Sequence, residues 1–374
     1  MVVFGIILIS IVSLFHLYVF WRAGTVPAIK KHVPVRIIGV AGVLLWSLVF
    51  LARVYGHGGS GLFAASIEFA GMTWMATLFL FAVTLLVVDI VTCFGLVLAG
   101  LAPGLRGMAL VVGLLLAAIA MIQGMRPPVV TKYEVVIDGL PGELDGTVLA
   151  VVSDLHLGTQ TGAGWLSARV EQVMAEKPDL ILLLGDIYEG HARPEQQILT
   201  TMQTLSAPLG VWGVLGNHEF YGGSVVIRAL SEDSGLTVLR NSWQEVSPGL
   251  ILAGVEGRRH DRRPDEGNDL IERTLSGQPE GATILMSHKP WQVEKAADTG
   301  VELMLAGHTH GGQIWPFGQL VRLFFPQLAG RYQVDDMSLL VGRGTGTWGP
   351  KMRLWSRGEI LRVDLRSSGK INGD

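Results

Sequence analysis

The chain of 374 residues contains one cysteine, Cys93, so no disulfide can form within it. That scarcity alone does not assign a redox compartment, and a lone cysteine in an apolar stretch packs as a small hydrophobe. Charge is also scarce. Only 16% of residues are charged, and 29 basic against 32 acidic side chains leave a net charge of -3. This balance removes the electrostatic argument for nucleic-acid binding. No internal repeat of fixed period is present, which argues against solenoid and propeller arrays. The shortage of charge is uneven: the first third is almost uncharged, whereas the chain after Arg126 reads as an ordinary globular domain. The length suffices for two domains.

Four apolar stretches in the first third, 2–21, 34–51, 69–98 and 108–125, are long enough to span a bilayer as helix, which takes about 20 residues. The first is expected to remain attached, because it lacks a basic leader and a small-residue cleavage site and further spans follow it. Arg22, Lys30, Lys31 and Arg36 fall in the first loop, against Arg53 in the second and Arg106 in the third. By the positive-inside bias the first loop is cytoplasmic and the N-terminus external. Four spans then make this a multi-pass cell-membrane protein whose remaining chain emerges outside the cytoplasm. Asp89 lies inside the third stretch, where a carboxylate is a functional candidate. No other span offers it an evident partner, and tilt can bring it to an interface, so anchoring is preferred to transport. His16, His32 and His57 are isolated and read as interfacial or loop residues. Arg126-Pro127-Pro128 closes this region, since consecutive prolines cannot continue a helix. The expected division is a membrane domain over 1–126, a linker and first strand over 127–147, and a catalytic domain over 148–374.

Beyond residue 131 the pattern changes to short β-rich runs, beginning with 148–153, 180–184 and 211–215, alternating with amphipathic segments at 165–176, 195–205 and 225–231. Further runs follow at 237–239, 250–255, 283–286, 303–306, 338–341 and 359–363. This alternation predicts an α/β domain with buried sheets, and the last runs, with no helix between them, predict antiparallel strands. Five runs are followed by polar residues able to ligate a metal: Asp154 and His156, Asp186, Asn217, His288, and His308 with His310. Ligands of open α/β sheets collect outside the carboxyl ends of strands. Singly, each of these residues reads equally well as a turn or cap. In an extended segment positions i and i+2 point the same way, so the rings of His308 and His310 are expected to face one site. Seven oxygen and nitrogen donors without a thiolate suit Mn, Fe or Zn. Two divalent ions sharing one carboxylate use about that many.

On the wording Ser153-Asp154-Leu155-His156-Leu157-Gly158 and Gly307-His308-Thr309-His310-Gly311-Gly312-Gln313, residues 148–364 resemble the calcineurin-like metallophosphoesterase superfamily, and within it the membrane-associated bacterial branch. The resemblance implies a four-layer αββα sandwich, here following a four-helix transmembrane region. It implies Asp154, His156 and His310 on one metal, Asn217, His288 and His308 on the other, and Asp186 bridging them. Manganese is expected ahead of iron or zinc. His218 would not be a ligand but would protonate the leaving group or contact the transition state. Glu219 would orient it, or serve as a structural loop acid. The family often has Gly-Asp-x-x-Asp, whereas this chain has Glu189 at the last position, which leaves the contacts of that loop open.

The implied reaction is metal-dependent hydrolysis of a phosphoester, with a lipid-linked phosphoester or pyrophosphate as the expected substrate. Two other readings stay open: a metal-binding membrane receptor or scaffold without catalysis, and a cytoplasm-facing pyrophosphatase of nucleotide-linked lipids. Trp315-Pro316-Phe317 and Leu323-Phe324-Phe325-Pro326 follow the His-x-His loop and would suit acyl chains or a membrane surface if exposed. Arg322, Arg343 and Lys351 are candidates for gripping phosphate. Arg258, Arg259, Arg262 and Arg263 read as a solvated basic loop.

Overall fold

A computed structural model of the chain describes residues 2–57, 59, 61–190, 194–257 and 269–369. The basic loop containing Arg258, Arg259, Arg262 and Arg263 lies outside the described residues. The chain divides into two compact units. One comprises Met1–Arg126 with Gly349–Leu354, the other Pro127–Trp348 with Trp355–Asp374.

In the first unit, three helices among the described residues are long and apolar enough to cross a membrane: Val35–Gly56, Gly61–Val91 and Ala102–Met125. The first helix, Val2–Ala23, contributes a shorter described apolar stretch, Ile9–Ala23. Where the pattern predicted a span over 69–98, the helix starts eight residues earlier and stops at Val91. Cys93 and Phe94 then take left-handed backbone (φ 46° and 58°), which ends a helix. The Gly61–Val91 and Ala102–Met125 helices approach closely at Gly113, where a Cβ would lie 2.6 Å from Phe81 Cδ1. Small residues permit such contact between apolar helices.

Two expectations for this unit need correction. His16 is not isolated but buried, its Nδ1 bonded to Val12 O and its Nε2 accepting from Trp74 Nε1, both at 2.9 Å. Asp89 is fully buried and does have partners on two other helices: Arg22 Nε at 2.7 Å and Arg106 Nη2 at 3.0 Å. A second acid on the same helix, Glu68, lies 3.4 Å from His57 Nδ1. Glu68 and Asp89 are separated by about 32 Å at 1.5 Å rise per residue, close to the roughly 30 Å hydrocarbon thickness of a bilayer. Each charged cluster therefore falls at an interface when this helix crosses a membrane.

The second unit is built on two six-stranded sheets. The chain lays down β1 (Val129–Ile137), β2 (Val148–Val152), β3 (Leu180–Leu183), β4 (Val211–Gly213) and β5 (Thr237–Val238) in the first. It moves to the second with β6 (Ser242–Ser247), β7 (Leu250–Val255), β8 (Ala282–Ser287), β9 (Leu303–Ala306), β10 (Gly330–Val334) and β11 (Met337–Val341), then returns with β12 (Glu359–Ser367). The spatial orders are β1-β12-β2-β3-β4-β5 and β10-β11-β9-β8-β7-β6. Strands β2 to β5 are mutually parallel, as are β7, β8, β9 and β11. Of the late strands, β10 and β12 pair antiparallel with β11 and β2, as the absence of helices predicts, but β11 runs parallel to β9.

Alternation along the strands creates the layers. Leu149, Val151 and Leu182 of the first sheet meet Leu252, Ile284 and Leu305 of the second in a shared core. On the outer face of the first sheet, Ala150, Val152, Ile181 and Leu183 cover Leu166 and Val170 of the helix Ala163–Ala175 and Val226 of the helix Ser224–Asp233. On the outer face of the second, Leu285 and Met304 cover Ile271 and Val293 of two short helices. Strands buried on both faces read as continuous apolar runs, which is why β3 is Leu-Ile-Leu-Leu and β9 Leu-Met-Leu-Ala.

Candidate metal centre

Parallel strands of both sheets end toward one place, and five of them are followed by polar residues. Asp154 and His156 follow β2, Asp186 follows β3, Asn217 follows β4, His288 follows β8, and His308 and His310 follow β9. Asp154, His156, Asp186, His308 and His310 all have left-handed backbone, with φ between 46° and 71°. For residues with a Cβ this costs on the order of 1–2 kcal/mol each, and such strain collects at functional sites. The expectation of an extended His308–His310 segment is corrected by this turn, which sends the two rings to different partners. Neighbouring glycines leave room for it: a Cβ on Gly307 would lie 2.6 Å from Asp154 Oδ2.

Two donor sets result. In one, His156 Nε2 is 3.2 Å from His310 Nε2, which is 3.6 Å from Asp154 Oδ1. In the other, His288 Nε2 is 3.1 Å from His308 Nδ1 and 3.2 Å from Asp186 Oδ2. Within each set the donor atoms lie within 4.8 Å of one another. Donors about 2.1 Å from a shared cation in tetrahedral arrangement sit about 3.4 Å apart, so both sets have the spacing a metal requires. Asn217 supports the same fit, since its Oδ1 is buried without a hydrogen-bond partner. It is joined to the second set through the next residue, whose His218 N–H donates to Asp186 Oδ1 at 2.9 Å. The backbone N–H of His308 donates to both oxygens of Asp154, tying the sets together.

His308 and Asp186 favour the states that ligation needs, while Asp154 and His288, the latter lowered by burial but raised more by Asp186, lean toward protonation. Burial and the neighbouring His288 push His308 far below the ordinary imidazole range, keeping it neutral. Burial raises Asp186, but His288 and His218 outweigh it and hold the carboxyl well below its usual range. Burial lifts Asp154 instead. His288 Nδ1 is bonded to Leu184 O at 2.8 Å, which directs its Nε2 to the site.

A third group, His156, Glu189 and His218, is also compact, but its geometry is that of an orienting carboxylate. Glu189 Oε2 lies 2.7 Å from His156 Nδ1 and 2.6 Å from His218 Nδ1. It holds the far nitrogens of both rings and frees each Nε2 for the centre, as carboxylates behind metal-bound histidines do. Burial lowers the affinity of His218 for its proton, yet Asp186 and Glu189 together lift its pKa to about 9. Of the two readings of Glu219, its contacts fit the structural loop acid. Glu219 is fully buried and accepts from four backbone N–H groups, those of Asp186, Ile187, Tyr188 and Gly216, at 2.7–3.0 Å. It fixes the shape of the Asp186 loop, and the orienting role falls to Glu189. The only trace of this in the sequence was an acid three residues after Asp186 in place of the family's aspartate.

Of the phosphate candidates, Arg322 is exposed. Arg343, in the strand-end loop after β11, lies 3.6 Å from Glu359 Oε2. Lys351 belongs to Gly349–Leu354, the segment grouped with the helices, and burial lowers its ammonium to about 8. The aromatic stretches border the donor sets. The Phe325 ring is centred 5.1 Å from that of His308, and Trp348 lies 6.3 Å from His218. Gln313 fastens Trp348 in place, bonding its O and N at 3.0 Å each. Trp348 carried no signal in the sequence.

Comparison with known proteins agrees with this architecture. Residues 147–312 match the calcineurin-like phosphoesterase family. A transmembrane protein with metallophosphoesterase domain from Danio rerio is 31% identical over 274 residues, 70% of this chain and 62% of that protein. An uncharacterized metallophosphoesterase of Aquifex aeolicus is 32% identical over 251 residues, 64% of this chain and 92% of that protein. The metallophosphoesterase YkuE of Bacillus subtilis is 30% identical over 254 residues, 64% of this chain and 85% of that protein. This chain thus spans less than two thirds of the Danio rerio relative. With its strand-end donors, two-sheet sandwich and near-complete coverage of the Aquifex relative, the chain belongs to the calcineurin-like metallophosphoesterase family.

Proposed function

We propose that the protein is a membrane-anchored, dinuclear-metal phosphoester hydrolase acting on a lipid-linked phosphoester or pyrophosphate. Asp154, His156 and His310 would hold one divalent ion, Asn217, His288 and His308 the other, with Asp186 shared. Such ions polarise phosphoryl oxygens and activate water near neutral pH. His218, protonated through Asp186 and Glu189, is suited to give its Nε2 proton to the departing oxygen. Exhaustive chelation is expected to abolish hydrolysis of a generic diester, with manganese restoring it ahead of iron and zinc. Full turnover by metal-free protein would end this reading.

The single observation behind a lipid-linked substrate is the apolar rim beside the donor sets. Leu323 and Phe324 are 76% and 79% exposed, Trp315, Phe317, Leu320 and Trp348 are exposed as well, and exposed Arg322 lies among them. Apolar surface of this kind marks a binding face. Leu323→Asp with Phe324→Asp should lower turnover of a phospholipid ester in vesicles by about tenfold or more. A water-soluble ester should be cut at the parental rate, since neither residue is packed in the core. Equal loss on both substrates would remove the rim from substrate binding.

The basic first loop supports a four-span topology with an extracytoplasmic catalytic unit. An export-dependent reporter fused after Asp374 is expected to be active and a cytoplasm-dependent one silent. The reverse result would favour a cytoplasmic nucleotide-linked lipid as substrate.

A further inference from the structure

In the charged cluster of the helical unit Arg106 is fully engaged, its Nη1 donating to Thr25 Oγ1 at 3.4 Å and its Nη2 to Phe94 O at 3.3 Å besides facing Asp89, whereas Arg22 Nε is not. Asp89 Oδ1 accepts from Arg106 Nε at 3.1 Å and lies 3.0 Å from Arg106 Nη2, and Oδ2 accepts from Tyr18 O–H at 2.8 Å. A carboxylate offers about four lone-pair sites, so about one remains for Arg22, which carries five N–H donors. Arg22 Nε lies 2.7 Å from Asp89 Oδ2 but out of line with it, and this buried nitrogen has no hydrogen-bond partner. The Arg22 guanidinium instead stacks on Trp21, 3.9 Å from the ring centre. Two guanidiniums against one carboxylate leave a buried excess of one positive charge. Lys30 and Lys31 are exposed on the short helix Pro27–His32 that follows.

Next to this cluster is an entirely apolar groove of about 290 Å3 lined by Val19, Phe20, Trp74, Phe81, Leu110 and Leu114, with Ala23 and Val111. On the first helix it begins beside Arg22, at Ala23 and Val19; on the helix Ala102–Met125 it begins about one turn from Arg106, at Leu110, and on Gly61–Val91 about two turns from Asp89, at Phe81. It then runs toward the middle of the apolar segment. A cationic, donor-rich end with an apolar channel leading away from it matches an anionic phospholipid, headgroup phosphate first and one acyl chain following.

We propose that the helical unit holds one anionic glycerophospholipid, its phosphate bound at Arg22 beside the Arg106–Asp89 pair and an acyl chain lying in this groove. The site is separate from the metal centre, and its test reads lipid retention rather than hydrolysis. The full-length chain, in mild detergent with chelator present, would be titrated with phosphatidylglycerol or phosphatidylcholine of identical chains and examined by native mass spectrometry. One phosphatidylglycerol is expected to be retained with at least about tenfold preference. Arg22→Gln should reduce that preference to near unity, while Leu114→Trp, at an exposed side chain, should reduce retention of both lipids by obstructing the groove. Glycerophosphoglycerol, the headgroup without chains, should not displace the bound lipid at equal concentration. Equal retention of the two lipids by the parental protein, or unchanged preference in folded Arg22→Gln, would overturn the proposal. If Arg22→Gln does not fold, retention by Leu114→Trp matching the parental protein would do so.

Discussion

On the proposed two-ion centre, Asp186→Ala is expected to lower bound metal to one ion or fewer and to cut phosphoester turnover by more than about a thousandfold, because the carboxylate shared between the ions would be lost. Asp186 Oδ2 is within 3.2 Å of His288 Nε2 and 3.7 Å of His218 Nε2. Asp186 thus reaches both the second donor set and His218. Asp186 Oδ1 also accepts the His218 backbone N–H, so alanine would disturb the loop as well. Asp186→Asn keeps an acceptor there and removes the charge. It should therefore retain the parental melting temperature within a few degrees while still losing metal. Elemental analysis beside thermal melting separates the two effects, and two ions retained in folded Asp186→Asn would refute the shared role.

His218→Ala is expected to leave metal content unchanged and to reduce turnover by roughly two to four orders of magnitude, the scale of positioned acid–base assistance. A metal-stabilised receptor or scaffold would keep its metal and have no turnover to lose. The loss should depend on the leaving group, being smallest for 4-nitrophenolate, which departs without a proton, and largest for an alkoxide. Uniform loss would assign His218 to phosphate contact instead. Glu189→Gln tests the ring from behind. The carboxylate raises the affinity of His218 for its proton, so its neutralisation lowers the pKa, and the alkaline limb of turnover should move to lower pH. Metal affinity should also fall by about 10–100-fold, because His156 loses the same orienting partner.

Much of this protein is legible from its residues in order. The apolar first third is recognisable because a bilayer requires long uncharged helices. Strands such as β3 and β9 are recognisable because burial on both faces demands uninterrupted apolar runs. The donors could be located since each follows such a run, where a parallel sheet opens to solvent and ligand. The glycine-flanked wording of two of these turns carries the family resemblance.

Partnership across the fold was not legible. Asp89 looked solitary because Arg22 and Arg106 belong to other helices, and only their packing brings three side chains to one depth. β1 carried no sign that it would pair with β12, at the opposite end of the chain. Two acids of the same loops, Glu189 and Glu219, could not be assigned from spacing. One oxygen of Glu189 meets two imidazoles, whereas Glu219 turns inward to four amides that exist as a cluster only once β3 and β4 are paired. The His308–His310 turn is the same kind of case for pattern alone, although the family resemblance implies that its rings divide between two ions. Its alternating histidines suit a strand, but left-handed backbone there divides the rings between two donor sets. Local pattern determined which residues stand at strand ends. Which of them meet was decided by close packing, because a side chain's partner depends on the relative placement of whole elements.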